Sequence, residues 1–435
     1  MKNDKKTIKA WCMFDWANSA YNLVITSTIF PAYYVAITSS QDEMVSFFGM
    51  KFVNTALSNY ALYAAYLIMV FLLPILSSVA DYRGNKKLFM KFFTYLGGLA
   101  CAGLFFFKID TLEFGIICFA LAAMGYIGGV MFNNSYLPEI ATVDHQDNVS
   151  AKGFAYGYVG CVILQIICFV FVLKPELFGI TDASLPARLS FLLVGIWWIG
   201  FAQIPFNKLP AGSPNYNKLD KKVVRSGFEE LEKVWHQVKE MKFMKRFLLA
   251  FFFYSMGVQT IMLAAAGFGE KILHLGTSKL IAIILIIQLV AIPGALLMSY
   301  FARKVGNIKV IIFVVILWIG VCISGYFIYN EYQFYALAVL VGLVMGGIQT
   351  ISRSTYSKLV PENTPDTASY FSFYDVTEKL AIVIGLFSFG FIEELTGSMR
   401  NSLLILAGFF IIGLIVLFSM LFMKKQQSSL NLQPD

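Results

Sequence analysis

Three ionisable residues, Asp375, Glu378 and Lys379, stand inside an otherwise apolar run at 370–392. On a helix, Asp375 and Lys379 are four residues apart and share a face, with Glu378 beside them. Ionisable groups inside an apolar bundle are costly unless they are partnered, and they often mark a path for protons or substrate. The cluster is therefore either a structural ion pair or part of such a path.

The spacing favours an ion pair between Asp375 and Lys379, which leaves Glu378 as the candidate proton carrier. Because the cluster offers both charge signs, it suits a zwitterionic solute. The aromatic side chains that would pack against the rest of such a solute are Tyr21, Trp197, Trp198 and Tyr374.

Further polar residues lie in the first and fourth apolar stretches. Asp15 and Asn18 are three residues apart and share a face, and Tyr21 follows one turn later. Asn133 and Asn134 end the fourth stretch. Single amides in such helices more often bond a neighbouring helix than a ligand. With that alternative kept open, we add these five residues to the predicted path for substrate or protons.

The composition defines the elements that must position these residues. Of 435 residues, 58% are hydrophobic and 14% are charged, against a usual charged share of about 25%. A soluble globule is therefore excluded. Twelve apolar stretches are long enough to span a bilayer, and lipid allows only helices or closed barrels to do so. They lie near 16–38, 56–80, 88–107, 114–135, 154–173, 188–206, 247–268, 279–301, 308–329, 333–352, 370–392 and 402–423. We expect an all-α polytopic membrane protein with two six-helix bundles.

The distribution of Lys and Arg predicts the orientation. If the chain crosses twelve times, one side collects 26 of the 34 Lys and Arg residues, together with both termini. Cytoplasmic loops carry such an excess, so both termini should be cytoplasmic. Contact with anionic lipid explains the net charge of +8 without a nucleic-acid partner.

A polar stretch between the sixth and seventh spans divides the chain. We expect one bundle at 1–207, a linker at 208–245, a second bundle at 246–425 and a disordered tail at 426–435. The linker has helical periodicity, which predicts an amphipathic helix on the inner leaflet or, alternatively, a docking site for a partner. The periodic apolar residues are Val224, Phe228, Leu231, Trp235, Val238 and Met241.

The two halves repeat short motifs at nearly one offset. Gly84-Asn85 recurs 222 residues later as Gly306-Asn307, and Pro138-Glu139 recurs 223 residues later as Pro361-Glu362. A parallel repeat of six spans is typical of a two-bundle transporter.

The motif DYRGNKK after the second span indicates a cytoplasmic gate. Gly84 permits a tight turn, and Asp81 lies at a helix end where an anion is disfavoured and needs a cationic partner. Arg83 lies in the same motif, and Arg353 just past the tenth span. We assign these four residues to the gate, against the alternative that the basic residues only set the orientation.

Several kinds of chemistry are not indicated. The chain has no G-x-x-x-x-G-K-[ST] phosphate loop, and its three His residues are far apart. We therefore expect no ATP-driven pump, no enzyme, no metal site and no cofactor. The six Cys residues lie in or beside the spans, where they act as packing residues.

The chain resembles the major facilitator superfamily and, within it, the vacuole-effluxer-like family, also called the Unknown Major Facilitator family. The matching motifs are FDWANSAYNLVI (14–25), NNSYLPEIA (133–141), KGFAYGYVG (152–160), RLSFLLVGIWWIGFA (188–202), SRSTYSKLVP (352–361) and LTGSMR (395–400). The resemblance implies twelve helices and secondary transport. Fungal relatives are associated with export of amino acids from the vacuole.

We accordingly expect a secondary active or facilitative transporter of a small polar solute, working by alternating access in the bacterial cytoplasmic membrane. Amino-acid export and proton coupling are the finer expectations. The partners are then a small-molecule solute, protons and lipid, with the chain as a monomer. A sugar transporter of the same fold, and a transporter-like sensor or scaffold, remain as alternatives.

Overall fold

A computed structural model describes residues 2–39, 44–212 and 221–430. Helices α1 to α15 run through Lys5–Ala20, Ile29–Thr38, Asn54–Arg83, Lys86–Gly103, Leu112–Asn134, Leu137–Ile140, Gln146–Leu173, Leu185–Lys208, Lys221–Glu240, Lys242–Leu273, Thr277–Val305, Asn307–Tyr326, Glu331–Leu359, Thr367–Thr396 and Met399–Leu430. Strands β1 and β2 are Met44–Phe47 and Met50–Val53. A π-helix spans Tyr21–Thr28, and short 3-10 turns lie at Leu104–Phe106, Ile109–Thr111 and Pro175–Phe178.

The long helices match the twelve predicted apolar stretches. Within the described residues, eleven helical segments are long and apolar enough to cross a membrane. The remaining stretch, 370–392, corresponds to α14, whose charged cluster keeps it out of that set. The helices extend past the predicted stretches because polar residues continue each helix beyond its apolar middle. The tail predicted at 426–435 is helical as far as Leu430, and residues 431–435 lie outside the described residues.

The first span is interrupted by a π segment that the sequence did not reveal. Between α1 and α2 the backbone follows the wider π pattern over Tyr21–Thr28. Two side-chain hydroxyls bond backbone carbonyls within this segment. Ser27 Oγ donates to the Asn22 carbonyl at 2.9 Å, and Thr28 Oγ1 donates to the Leu23 carbonyl at 2.7 Å. Segments of this type occur often at functional sites.

A β-hairpin joins the first span to the second. Strands β1 and β2 are antiparallel, and Phe47 pairs with Met50 across the turn. Phe48 and Gly49 both have positive φ, at 47° and 80°. Positive φ at both central residues fits a hairpin turn.

The helices form two compact units. Unit 1 contains Asn3–Tyr136 and Tyr156–Phe228, and unit 2 contains Lys2, Leu137–Ala155 and the chain from Glu229 onward. The segment Leu137–Ala155 therefore belongs to unit 2, although it comes from the first half of the sequence. The predicted divisions at 207 and 246 stay a prediction.

Small residues let neighbouring helices approach closely within each unit. In unit 1, a Cβ at Gly125 of α5 would overlap the backbone of Gly97 of α4. In unit 2, a Cβ at Gly346 of α13 would overlap the Ala291 carbonyl of α11. Glycine at such crossings is typical of helices packed within a membrane.

The second half of the linker helix α9 packs against α14 in unit 2. Val234 and Val238 are buried, and the Trp235 ring stacks on Phe373 at 5.5 Å between centroids. Tyr370 donates to Gln237 Oε1 at 2.7 Å. Part of the predicted amphipathic face is therefore covered by the protein itself. The side chain of Val224 lies outside those described.

Candidate functional site

The charge cluster on α14 forms a different ion pair from the one predicted. Lys379 Nζ lies 2.5 Å from Glu378 Oε2, and Gln259 of α10 donates to Glu378 Oε1 at 3.0 Å. Lys379 thus pairs with Glu378 in the structure, and the Asp375–Lys379 pairing inferred from spacing stays a prediction. Both ends of the Glu378 carboxylate are occupied, because a neighbouring helix supplies an amide that the spacing along α14 does not reveal.

Asp375 is the unusual member of the cluster. Its side chain is buried, with 1% of the residue exposed. Among the described residues, nothing makes a hydrogen bond to Asp375 Oδ2. Buried polar atoms are nearly always hydrogen-bonded, so one without a protein partner needs an explanation. Ionisable residues inside a membrane bundle often mark a path for protons or substrate.

Aromatic and hydroxyl side chains pack around the first half of α14 in unit 2. Tyr374 stacks on Phe251 at 4.2 Å between ring centroids, and Tyr356 lies 5.0 Å from Tyr374. Tyr254 and Ser352 share a hydrogen bond of 2.7 Å. These contacts hold α10, α13 and α14 together beside the cluster. They give Tyr374 a packing role, next to Asp375 in the chain.

The predicted polar residues of unit 1 are buried but spread along the bundle. Trp11 of α1 donates to the Asn133 carbonyl at 2.7 Å, and the Tyr21 ring lies 5.1 Å from Tyr126. These contacts set α1 and α5 antiparallel, with Asn133 at the level of Trp11. Asn18 lies seven residues further along α1, or about 10 Å. The structure therefore does not bring Asn18 and Asn133 together.

Asp15 and Asn134 also lie in the interior of unit 1. The Asp15 carbonyl lies against α7, since a Cβ at Gly157 would stand 3.3 Å from it. Asn134 is the last residue of α5. Both residues have contacts within the protein, which favours structural roles for them.

Three amides in unit 1 have buried atoms without a protein partner among the described residues. These atoms are Asn18 Nδ2, both polar atoms of the Asn133 side chain, and Gln165 Nε2. Gln165 is anchored at its other end, because Thr28 of the π segment donates to Gln165 Oε1 at 2.8 Å. In the sequence, Gln165 is a single amide within the apolar stretch at 154–173. The π segment gives it a fixed orientation.

The predicted gate motif forms the tight turn that Gly84 was expected to allow. Gly84 ends α3 with φ at 62°, and its N–H donates to the Asp81 carbonyl at 2.9 Å. Arg83 is the last residue of α3. Asp81, Arg83 and Gly84 lie in unit 1, whereas Arg353 lies in unit 2. Their shared role in a gate stays a prediction.

Arg353 of α13 is buried within unit 2, where it contacts segment 137–155. Its guanidinium donates to Ser150 Oγ at 3.0 Å and to the Ser150 carbonyl at 2.8 Å. The same group lies 4.0 Å from the centre of the Phe154 ring. Ser150 Oγ in turn donates to the Thr350 carbonyl at 2.9 Å. Arg353 therefore fastens the start of α7 to α13.

A second set of polar contacts joins Asp147, Asn307 and Lys358, and we call it the Asp147 network. Lys358 Nζ lies 2.5 Å from Asp147 Oδ2, and Asn307 Nδ2 donates to Asp147 Oδ1 at 2.7 Å. Lys358 also donates to Asn307 Oδ1 at 3.1 Å. Asp147 and Lys358 were not predicted as functional residues from the sequence. The signal available was the repeated Gly-Asn pair, whose second copy places Asn307 in this network.

The arrangement defines a class of protein: a polytopic membrane transporter of the major facilitator type, which carries a small-molecule solute. A sequence profile of the family described as "Vacuole effluxer Atg22 like" matches residues 3–429. The chain belongs to this family, as its motifs led us to expect.

Relatives and solved structures agree with this assignment. An uncharacterized MFS-type transporter of Bacillus subtilis, YxiO, is 30% identical over 96% of this chain and 95% of its own length. Autophagy-related protein 22 of Yarrowia lipolytica is 30% identical over 66% of this chain, and the matched region covers 53% of that relative's own length. The crystal structure of the major facilitator transporter FucP, in the outward conformation, superposes with a TM-score of 0.69 and 13% identity, over 95% of this chain and 98% of FucP. The twelve-helix fold is thus confirmed, and these relatives are transporters rather than enzymes.

Proposed function

We propose that this chain is a proton-coupled transporter of small zwitterionic solutes, amino acids first among them, in the bacterial cytoplasmic membrane. The observation that carries the proposal is the buried Asp375 carboxylate, whose Oδ2 has no hydrogen-bond partner among the described residues. The family name supports efflux of a solute, and the bacterial relative supports the membrane.

Asp375 has the chemistry of a proton carrier, because its protonation changes the net charge of the cluster. Glu378 and Lys379 neutralise each other at 2.5 Å. An unprotonated Asp375 therefore leaves one net negative charge in the bundle, which is costly there. A proton removes that charge, and so does the ammonium group of a solute. Exchange of one for the other at Asp375 would couple the two fluxes.

The unpartnered amide nitrogens in unit 1 are hydrogen-bond donors, whereas the Asp375 carboxylate is an acceptor. Asn18 Nδ2, Asn133 Nδ2 and Gln165 Nε2 are N–H groups that suit a solute carboxylate or hydroxyl. Such neutral donors suit the carboxylate of a zwitterion and also the hydroxyls of a sugar.

Alternating access needs contacts that form in one state and break in another. The Asp147 network and the Arg353–Ser150 contacts hold segment 137–155 against α13 within unit 2. We propose that these polar contacts are the lock of the closed cytoplasmic side. Polar and charged contacts suit this role, because water replaces them when they open.

The test is transport by the purified protein in liposomes. Radiolabelled alanine, leucine and glutamate should show counterflow, and an imposed proton gradient should concentrate at least one of them. Fucose and xylose are tested in the same assay as sugars. Counterflow of a sugar, with none of any amino acid, would show that the solutes are sugars rather than zwitterions. Binding of amino acids without flux under all gradients would instead identify a sensor.

A further inference from the structure

A polar cavity lies in unit 2 at the start of α14, apart from the charge cluster. Its volume is about 220 Å³. The walls come from α6, the start of α7, the end of α13 and the turn before α14. Thr367, at its edge, precedes Asp375 by eight residues, or about 12 Å along the helix. The cavity is therefore a separate feature, and its assignment does not rest on the proposed transport function.

The cavity brings together the two copies of the repeated Pro-Glu motif. Pro138-Glu139 of the first copy and Pro361-Glu362 of the second both line it. Asn363, with φ at 61°, shapes the turn that presents Glu362. Thr367 donates to Glu139 Oε1 at 2.7 Å, which orients that carboxylate. Two carboxylates that come from distant parts of the chain thus belong to the same wall.

Two buried side chains in the wall have polar atoms that no described residue bonds. These atoms are Gln146 Oε1 and Ser357 Oγ, and the residues are 2% and 1% exposed. The other end of the Gln146 amide is fixed, because Nε2 donates to the Ala141 carbonyl at 3.3 Å. The amide therefore presents an acceptor. A buried acceptor without a partner is costly unless a ligand or solvent meets it.

The wall is rich in acceptors and negative charge. It contains two carboxylates, the amide oxygen of Gln146 and the hydroxyl of Ser357, and Lys2 is a basic residue that also lines it. A ligand that fits must donate several hydrogen bonds and carry positive charge. We propose that the cavity is a binding site for a small primary ammonium compound, either a free amine or an amino acid whose carboxylate meets Lys2.

The position of this cavity gives ligand binding a structural effect. Gln146 precedes Asp147 in the chain, and Ser357 precedes Lys358. A ligand that bonds Gln146 and Ser357 therefore joins the same two segments as the Asp147 network. Occupancy should slow the local opening of residues 137–147 and 357–367.

The experiment measures binding to the full chain in detergent by isothermal titration calorimetry. The probes are 1,4-diaminobutane, L-alanine and propionate, which lacks the ammonium group. Glu362→Gln and Ser357→Ala should each weaken binding of the ammonium probes at least tenfold. The matched control Glu394→Gln replaces an exposed acid at the far end of α14 and should bind as the wild type does.

Hydrogen exchange then locates the ligand. The ammonium probe that binds should protect amides in 137–147 and 357–367, and Glu362→Gln should remove this protection. Diaminobutane binding alone identifies an amine site, whereas alanine binding identifies an amino-acid site. No binding of either ammonium probe to the wild type overturns the proposal, as does equal binding of propionate or binding unchanged in both cavity variants.

Discussion

Lys358 donates from Nζ to Asp147 Oδ2 at 2.5 Å, although the two residues are 211 positions apart. Asp147 lies in the loop between the fourth and fifth predicted spans, and Lys358 follows the end of the tenth predicted span. The contact shows that loop 137–155 is held by specific polar bonds within unit 2. It gives the proposed lock two charges that can be tested separately.

The first prediction concerns this pair. Asp147→Asn and Lys358→Met should each lower the thermal unfolding midpoint of the purified protein, because each leaves the other charge without its partner. The double variant should recover part of the loss, with a coupling energy of about 0.5–3 kcal/mol. Lys309→Met, at an exposed position on α12, is the matched control and should change little. If the effects of the two changes on the unfolding midpoint are purely additive, the two residues do not interact and the pair is not part of the lock.

The second prediction concerns Asp375. Asp375→Asn keeps the shape of the side chain and breaks no ion pair, so expression and unfolding midpoint should stay near those of the wild type. A permanently neutral residue cannot exchange a proton, so accumulation of solute driven by a proton gradient should be lost. Counterflow, which needs no net proton movement, should persist with weaker apparent affinity, because the amide lacks the charge that meets the solute ammonium group. Undiminished uphill uptake by this variant would exclude Asp375 as the proton carrier.

The third prediction concerns the neighbouring pair. Glu378→Gln leaves Lys379 charged in the bundle, and removing one partner of a buried pair typically costs about 3–5 kcal/mol. The yield of folded protein should therefore fall. Adding Lys379→Met should restore it. These yields are compared by size-exclusion chromatography. A harmless Glu378→Gln together with a poorly folded Asp375→Asn would show that Lys379 depends on Asp375 instead.

The fourth prediction concerns orientation, which rests on the distribution of Lys and Arg. Single cysteines at Phe178 and Tyr332, both exposed, should react with a membrane-impermeant maleimide on intact cells. A cysteine at Asp144, exposed between α6 and α7, should react only after permeabilisation. The six native cysteines are buried and should give little background. The opposite labelling pattern would place both termini outside. Residues 41 and 218, in two other loops, lie outside the described residues and are therefore not used as labelling positions.

The sequence predicted the helices well because membrane spans are set by apolar length, which is a local property. It also predicted the Gly84 turn, since positive φ follows from residue type. The contacts that fix the candidate sites are not local. Lys379 pairs with the adjacent Glu378, whose other carboxylate oxygen accepts from Gln259 of another helix. The spacing along α14 alone does not reveal this contact with α10.

Two other features had weak signals in the sequence. The π segment depends on the hydroxyls of Ser27 and Thr28, which bond carbonyls five residues earlier. Hydroxyl residues are common in apolar spans, so their presence alone does not indicate a π-helix. The cavity near α14 unites two Pro-Glu pairs. Their repetition was visible, but sequence offset carries no information on distance in space.

Helix α14 also has a consequence for how the protein is made. It is the long helix that lacks an apolar window sufficient to cross a membrane, and each Asp or Lys at a helix centre opposes insertion by about 2.5–3.5 kcal/mol. Gln259 on α10 meets the Glu378 charge, and α10 is synthesised earlier. Gln259 is therefore already in the membrane when α14 emerges, and its bond with Glu378 offsets part of the cost of inserting the charged cluster.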